Sequence, residues 1–99
     1  MKHKEFDPIS PGEILREDFM LPLGISINAL ARDLHVPANR INAIVNGKRA
    51  ITADTVLWLG KYFGVSPELW PGLQSDYDLR LARTTIWTQV EPTVRAHAA

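Results

Sequence analysis

The spacing of apolar residues predicts helices from residue 10 to about residue 81. Ile27, Leu30, Ala31 and Leu34 follow the i, i+3, i+4, i+7 template of an amphipathic helix. Before them, "SPGEILREDFM" opens with a capping box: Ser10 at the N-cap, Pro11 at the first helical position and Glu13 three residues after the cap. Ile14, Leu15 and Phe19 give that first helix a buried side, and Pro22 and Gly24 are expected to end it. The second helix begins after Ser26, breaks at "HVP", and is followed by a third that starts near Pro37 and stops at Asn46-Gly47. Thr52 is expected to cap a fourth helix with Val56, Leu59, Gly60 and Phe63 on one face and Gly64 as its left-handed terminator. Ser66-Pro67-Glu68 opens a fifth, in which Pro71 predicts a kink or a restart because it lacks an N–H and crowds the preceding turn. Leu73, Tyr77 and Leu81 carry its packing face onward. From Thr84, "TTIWTQV" is β-branched and aromatic and predicts a strand or an extended arm, with "EPTVRAHAA" as a loose tail. The expected organisation is all-α: an N-terminal arm over 1–9, a five-helix domain over 10–83 with a helix-turn-helix at its centre, and an extended, partly disordered tail over 84–99.

The third helix carries the unusual chemistry. At about 100° per residue, Pro37, Ala38, Ile41, Ile44 and Val45 form one apolar arc. Asn39, Asn42, Asn46 and the small Ala43 fall on the opposite side, with Arg40 at its flank. Asparagine is a poor helix former, since its amide competes for nearby backbone groups. A helix face built of amides therefore needs a reason. Beside base reading, helix termination is an alternative account of Asn46 before Gly47, and local capping of Asn39 in the first turn. Asn42 lies mid-helix, where neither applies. Its amide can pair both ends with the N6/N7 edge of adenine, and Ala43 leaves room for a thymine methyl.

Charge supports that reading once its distribution is considered. The 99-residue chain has zero formal net charge, yet residues 26–50 hold Arg32, Arg40, Lys48 and Arg49 against Asp33 alone. A local excess is what makes an electrostatic footprint. Lys48 and Arg49 are candidates for backbone phosphate, and Arg40 for a guanine or a phosphate. Ser26 and Asn28, at the start of the second helix, can add phosphate contacts through amide groups and a side chain.

With 45% hydrophobic and 22% charged residues, the composition fits one ordinary soluble domain. No apolar run suits a bilayer span or a signal peptide, and the absence of cysteine excludes disulfides and thiolate metal sites, so a cytoplasmic protein without membrane contact or cofactor is expected. His3, His35 and His97 have no metal-ligand spacing, no phosphate-binding glycine loop is present, and Asp76 and Asp78 read as a solvated face. An enzyme finds little support. A protein–protein adaptor that does not bind DNA is a further alternative, in which Asn39, Arg40 and Asn42 would be dispensable for DNA retention.

"SINALARDLHVPANRINAIVNGKRAITADT" resembles the helix-turn-helix of the lambda-repressor-like (XRE) superfamily. More narrowly, "PGEILREDF", "NGKRAIT", "LGKYFGVSPELW" and "LQSDYDL" resemble the HigA (VapI-type) antitoxins of toxin–antitoxin operons. The resemblance implies that Ala31 lies at the helix crossing and Leu34, Val36, Ile41 and Ile44 in the core. It places Ala38, Asn39, Asn42, Ala43 and Asn46 at base-facing positions and Lys48 and Arg49 in a backbone-contacting loop. It further implies a homodimer on palindromic operator DNA and neutralisation of a HigB-like, RelE-type ribonuclease toxin, with a toxin-free transcriptional regulator as the nearest alternative. Two departures stand out: His35 where such turns usually carry glycine, and Pro71 after Trp70. Trp70, Leu73, Tyr77, Leu81 and Trp87 exceed the apolar surface a five-helix domain needs, and are candidates for a dimer interface or for closing the core.

Overall fold

The structure is a computed structural model that describes residues 8–97. The first helical rod runs from α1 (Pro11–Ile14) through a π-helical segment (Leu15–Met20) into α2 (Leu21–Leu23). Ser10 caps it as expected, its hydroxyl accepting from the Glu13 amide at 3.2 Å. Pro22 does not end the rod. A proline has no N–H to give and crowds the carbonyl four residues back. The wider π turn, in which Leu21 N–H reaches Arg16 O, carries the chain past it, and Gly24 at φ 67° makes the stop.

The helix-turn-helix follows as α3 (Ile27–Leu34) and α4 (Ala38–Val45). Ser26 caps α3 through the Ala29 amide at 3.0 Å. His35 adopts the left-handed conformation, φ 62°, and the Val36 amide bonds back to Ala31 O at 3.0 Å, closing α3 in a Schellman motif. Ala31, Leu34, Ile41 and Ile44 are buried, with Val36 packed at the edge of the core.

The N-terminal rod crosses α4 at its first turn. Pro11 and Gly12 are buried there, and a Cβ added to Gly12 would lie 1.6 Å from the Ile44 carbonyl oxygen. No other amino acid fits. The same helix start places Ser10 beside Gly47, in the turn that ends α4.

α5 (Ala53–Phe63) starts at Thr52, but the Thr52 side chain accepts from no backbone N–H of the helix. Asp54 takes that task, accepting from the Thr55 amide at 2.8 Å and from the Thr52 hydroxyl. Gly64, φ 68°, ends it. Phe63 meets Phe19 at 5.2 Å between ring centroids, and Phe19 meets Trp70 at 5.1 Å. This aromatic cluster joins the N-terminal rod to α5 and to α6 (Leu69–Thr85).

The C-terminal third departs from the sequence expectation in three ways. α6 begins at Leu69 rather than Ser66, which puts Pro71 at the third helical position, where no intrahelical N–H is required. The expected kink is therefore absent, and α6 runs unbroken for 17 residues. Trp70 is 0% exposed and belongs to the core rather than to an interface surface. The expected strand over 84–90 is helical: α6 continues through Thr85 and α7 (Trp87–Val90) and a 3₁₀ turn (Glu91–Thr93) follow. A strand needs a partner edge, and no other strand exists among the described residues, whereas a helix satisfies its own backbone. Thr84 and Thr85 also return their hydroxyls to Leu81 O at 3.0 and 2.8 Å. Among the described residues only 94–97 of the expected loose tail lack helical structure; residues 98–99 of that tail and 1–7 of the N-terminal arm, with His3, lie outside the described residues.

This C-terminal arm makes the molecule elongated, with a radius of gyration of 16.2 Å against about 13 Å for a compact chain of this length. Two glycine substitutions test the packing. On propensity alone, alanine stabilises a helix by up to about 1 kcal/mol relative to glycine. Gly72→Ala, in open space within α6, should follow that rule. Gly12→Ala should instead destabilise by about 3 kcal/mol or more, since backbone cannot rotate away as a side chain can. Urea unfolding of both variants reads the difference. In the aromatic cluster, Trp70→Ala should cost about 3–5 kcal/mol. Trp70→Phe should cost less than Trp70→Ala, because it leaves a smaller cavity and the buried indole N–H has no hydrogen-bond partner among the described residues to lose.

Candidate nucleic-acid interface

With Ile41, Ile44 and Val45 turned into the core, α4 presents Asn39, Asn42 and Asn46 to solvent and leaves Ala38 and Ala43 half-buried at the margins. The helical wheel thus describes the real face. The Asn39 side chain makes no hydrogen bond among the described residues, so the local-cap explanation does not account for it. Asn46 does terminate the helix: it is the C-cap at φ −91°, and its amide nitrogen donates to the Asn42 main-chain oxygen at 2.9 Å. That nitrogen also lies 3.3 Å from Asn42 Oδ1.

A groove of about 470 Å³ separates this face from the start of α3, lined by Ser26, Ile27, Asn28, Ala38, Asn39 and Asn42. Ser26 and Asn28 are exposed at its rim. The first N–H groups of α3 emerge there, and a helix N-terminus carries partial positive charge. Lys48 and Arg49 lie exposed in the loop after the Gly47 turn. The structure therefore brings the amide face of α4 and the N-terminus of α3 together at one groove, with two exposed cations in the loop that follows α4.

Arg40 behaves differently. Its guanidinium lies 3.9 Å from the Asp54 carboxylate and is only partly exposed. The Thr52 hydroxyl and then the Thr55 amide, with Arg40 contributing, hold the Asp54 carboxyl below the ordinary carboxylate range. Arg40 thus ties the third helical position of α4 to the start of α5. Sequence reasoning treated Arg40 as a free cation; the "TADT" segment, with a carboxylate at the second position of a helix, is the signal that points to its partner.

Among the described residues no group of histidines and carboxylates is arranged to hold a metal, and no helix is long and apolar enough to cross a membrane. A second concave surface, lined by Asp33, His35, Leu57, Trp58, Lys61 and Tyr62, lies between the end of α3 and α5. Periodicity along the sequence marks only the Val56, Leu59, Gly60 and Phe63 face of this helix.

A helix-turn-helix family model matches residues 15–70. Virulence-associated protein I of Dichelobacter nodosus is 51% identical over 78 residues, 79% of this chain and 72% of that protein. Among solved structures, a HigA-family addiction module antidote protein from Coxiella burnetii superposes with a TM-score of 0.84 at 45% identity, over 92% of this chain and 99% of that one. Pseudomonas aeruginosa antitoxin HigA, solved with the higBA promoter, gives a TM-score of 0.86 at 43% identity with the same coverage. The chain belongs to the XRE-type helix-turn-helix family, within the group that holds VapI and the HigA antitoxins.

Proposed function

We propose that this chain is an operator-binding antitoxin, which acts by binding and not by catalysis. As a homodimer it places α4 of each protomer in successive major grooves of a palindromic site, about 34 Å apart. Asn39, Asn42 and Asn46 face base edges, with Ala38 and Ala43 giving close approach, while Ser26, Asn28, Lys48 and Arg49 take phosphate. The observation that carries this reading is the outward amide face of α4, a surface that neither core packing nor solvation requires. The relation to a HigA solved with promoter DNA supports it. The same kinship supports the second activity, neutralisation of a HigB-like ribonuclease toxin in a complex that represses its own operon.

Arg40 joins the phosphate contacts only at the expense of its pairing with Asp54. For the dimer, the exposed face of α6 and α7 is the better candidate surface: Tyr77 is half-buried, while Leu81 and Trp87 are 38% and 40% exposed. Leu73 packs against the core at the base of this arm.

Readout and positioning separate experimentally. Asn42→Ala should relax base preference at one position of the half-site, by roughly 1–3 kcal/mol. Lys48→Ala or Arg49→Ala should weaken binding to all sequences and lower the slope of log affinity against log salt by about 1. Competition binding over a salt series distinguishes them; identical behaviour of both classes contradicts the assignment. Leu81→Asp should weaken self-association by about 2 kcal/mol or more, as for a central interface residue, which sedimentation equilibrium measures. An unchanged dimer would remove α6 from the interface.

A further inference from the structure

Asn46-Gly47, where α4 ends, is the one place in the chain where asparagine precedes glycine. That pair is chemically labile. The main-chain nitrogen of the following residue can attack the asparagine side-chain carbon, and glycine has no side chain to hinder the approach. Asn28, Asn39 and Asn42 precede alanine or arginine and lie inside α3 and α4, where helical dihedrals fix the backbone. Asn46 and Gly47 lie beyond the last residue of α4 and are exposed. Lys48 and Arg49 adjoin them, and nearby positive charge favours the deprotonated nitrogen that must attack.

The folded turn opposes this reaction. At Asn46 ψ is 6°, which eclipses the Gly47 nitrogen with the main-chain nitrogen of Asn46 rather than with Cβ, where ring closure needs it. The Gly47 N–H donates to Ile44 O at 3.0 Å and the Lys48 N–H to Ala43 O at 2.9 Å, the two bonds of a Schellman motif. The leaving group is tied as well, since Asn46 Nδ2 donates to Asn42 O at 2.9 Å. All three bonds belong to an exposed helix end, the kind of segment that opens locally while the rest of the fold stands.

We infer that Asn46-Gly47 is a self-modification site gated by the last turn of α4, and that its conversion to aspartate or isoaspartate weakens the hold on DNA. The second half rests on the placement of α4 proposed above. When the turn opens, the Gly47 nitrogen gives up its proton and bonds to Asn46 Cγ. The Cγ–Nδ2 bond breaks, and Nδ2 takes up a proton and leaves as ammonia. The cyclic imide then consumes one water. Cleavage of the new Cγ–N bond gives aspartate, and cleavage at the main-chain carbonyl gives isoaspartate. Either product carries a carboxylate at the end of the amide face. An ionised carboxylate cannot donate to Asn42 O. Its charge is unfavourable at a helix C-terminus, and it offsets Lys48 and Arg49 where phosphate is to be met.

Two measurements on the full chain test this. In the first, the protein is held in mildly alkaline buffer, folded and in urea, and peptide mass analysis follows the exchange of NH for O. Asn46 should convert ahead of the other three asparagines. Its conversion should be about tenfold or more slower in the folded chain, as a turn closed by about 1.4 kcal/mol imposes. Equal rates overturn the gate; no conversion of the folded chain, or faster conversion at another asparagine, overturns the site. In the second, Asn46→Asp is compared with Asn46→Gln, which keeps a neutral amide and cannot close the five-membered ring, on the DNA upstream of the gene. The aspartate variant should bind about tenfold more weakly at low salt, with unchanged circular dichroism, and the deficit should shrink as salt screens the new charge. Weaker binding of Asn46→Asp without conversion of the folded chain overturns the self-modification and leaves the groove placement standing. Conversion with equal binding of the two variants overturns the placement of α4 and the effect on DNA with it.

Discussion

The approach of Gly12 to the Ile44 carbonyl oxygen governs this structure. Where a Cβ would come within 1.6 Å of that oxygen, the N-terminal rod settles directly on the backbone of α4. Ile41, Ile44 and Val45 are then drawn into the core, and the opposite side of the same short helix is forced outward. An eight-residue helix has little stability of its own. Its orientation is borrowed from the rod above it, from Ala31 at the crossing with α3, and from the ion pair that joins Arg40 to Asp54 on α5. A base-reading face needs that rigidity, since hydrogen bonds to base edges tolerate little displacement.

The electrostatics follow the same economy. A chain of zero net charge draws on no long-range attraction for an anionic polymer, so its cations must be placed. Lys48 and Arg49 stand in the loop beside the amide face, and the α3 N-terminus adds its partial charge at the groove lined by Ser26 and Asn28. Arg40 is turned to Asp54 instead, serving the architecture that holds the reading face in place.

Most of this was legible in the sequence where periodicity and caps agreed. The Ser10 and Ser26 caps, the helix-turn-helix and the outward asparagines follow from local rules, while His35 stood out only against the family pattern. What was not legible depended on contacts distant in sequence. Nothing local to Gly12 reveals its approach to a carbonyl from residue 44. Trp70 stayed open between interface and core because its partners, Phe19 among them, lie far away in the chain. "TTIWTQV" was misread because β-branched residues lower helix propensity only slightly, while an isolated strand has no ladder to join. The Asn42–Asn46 bond was implicit in an i, i+4 spacing, yet each amide had been weighed alone.

The central claim is that the amide face of α4 reads operator DNA. Fluorescence anisotropy across a salt series, with the full chain on the DNA upstream of its own gene and on random duplex as competitor, tests it most directly. The account predicts tight binding that random DNA does not displace, with a steep salt dependence from the phosphate contacts. Equal affinity for both duplexes at every salt concentration would contradict it.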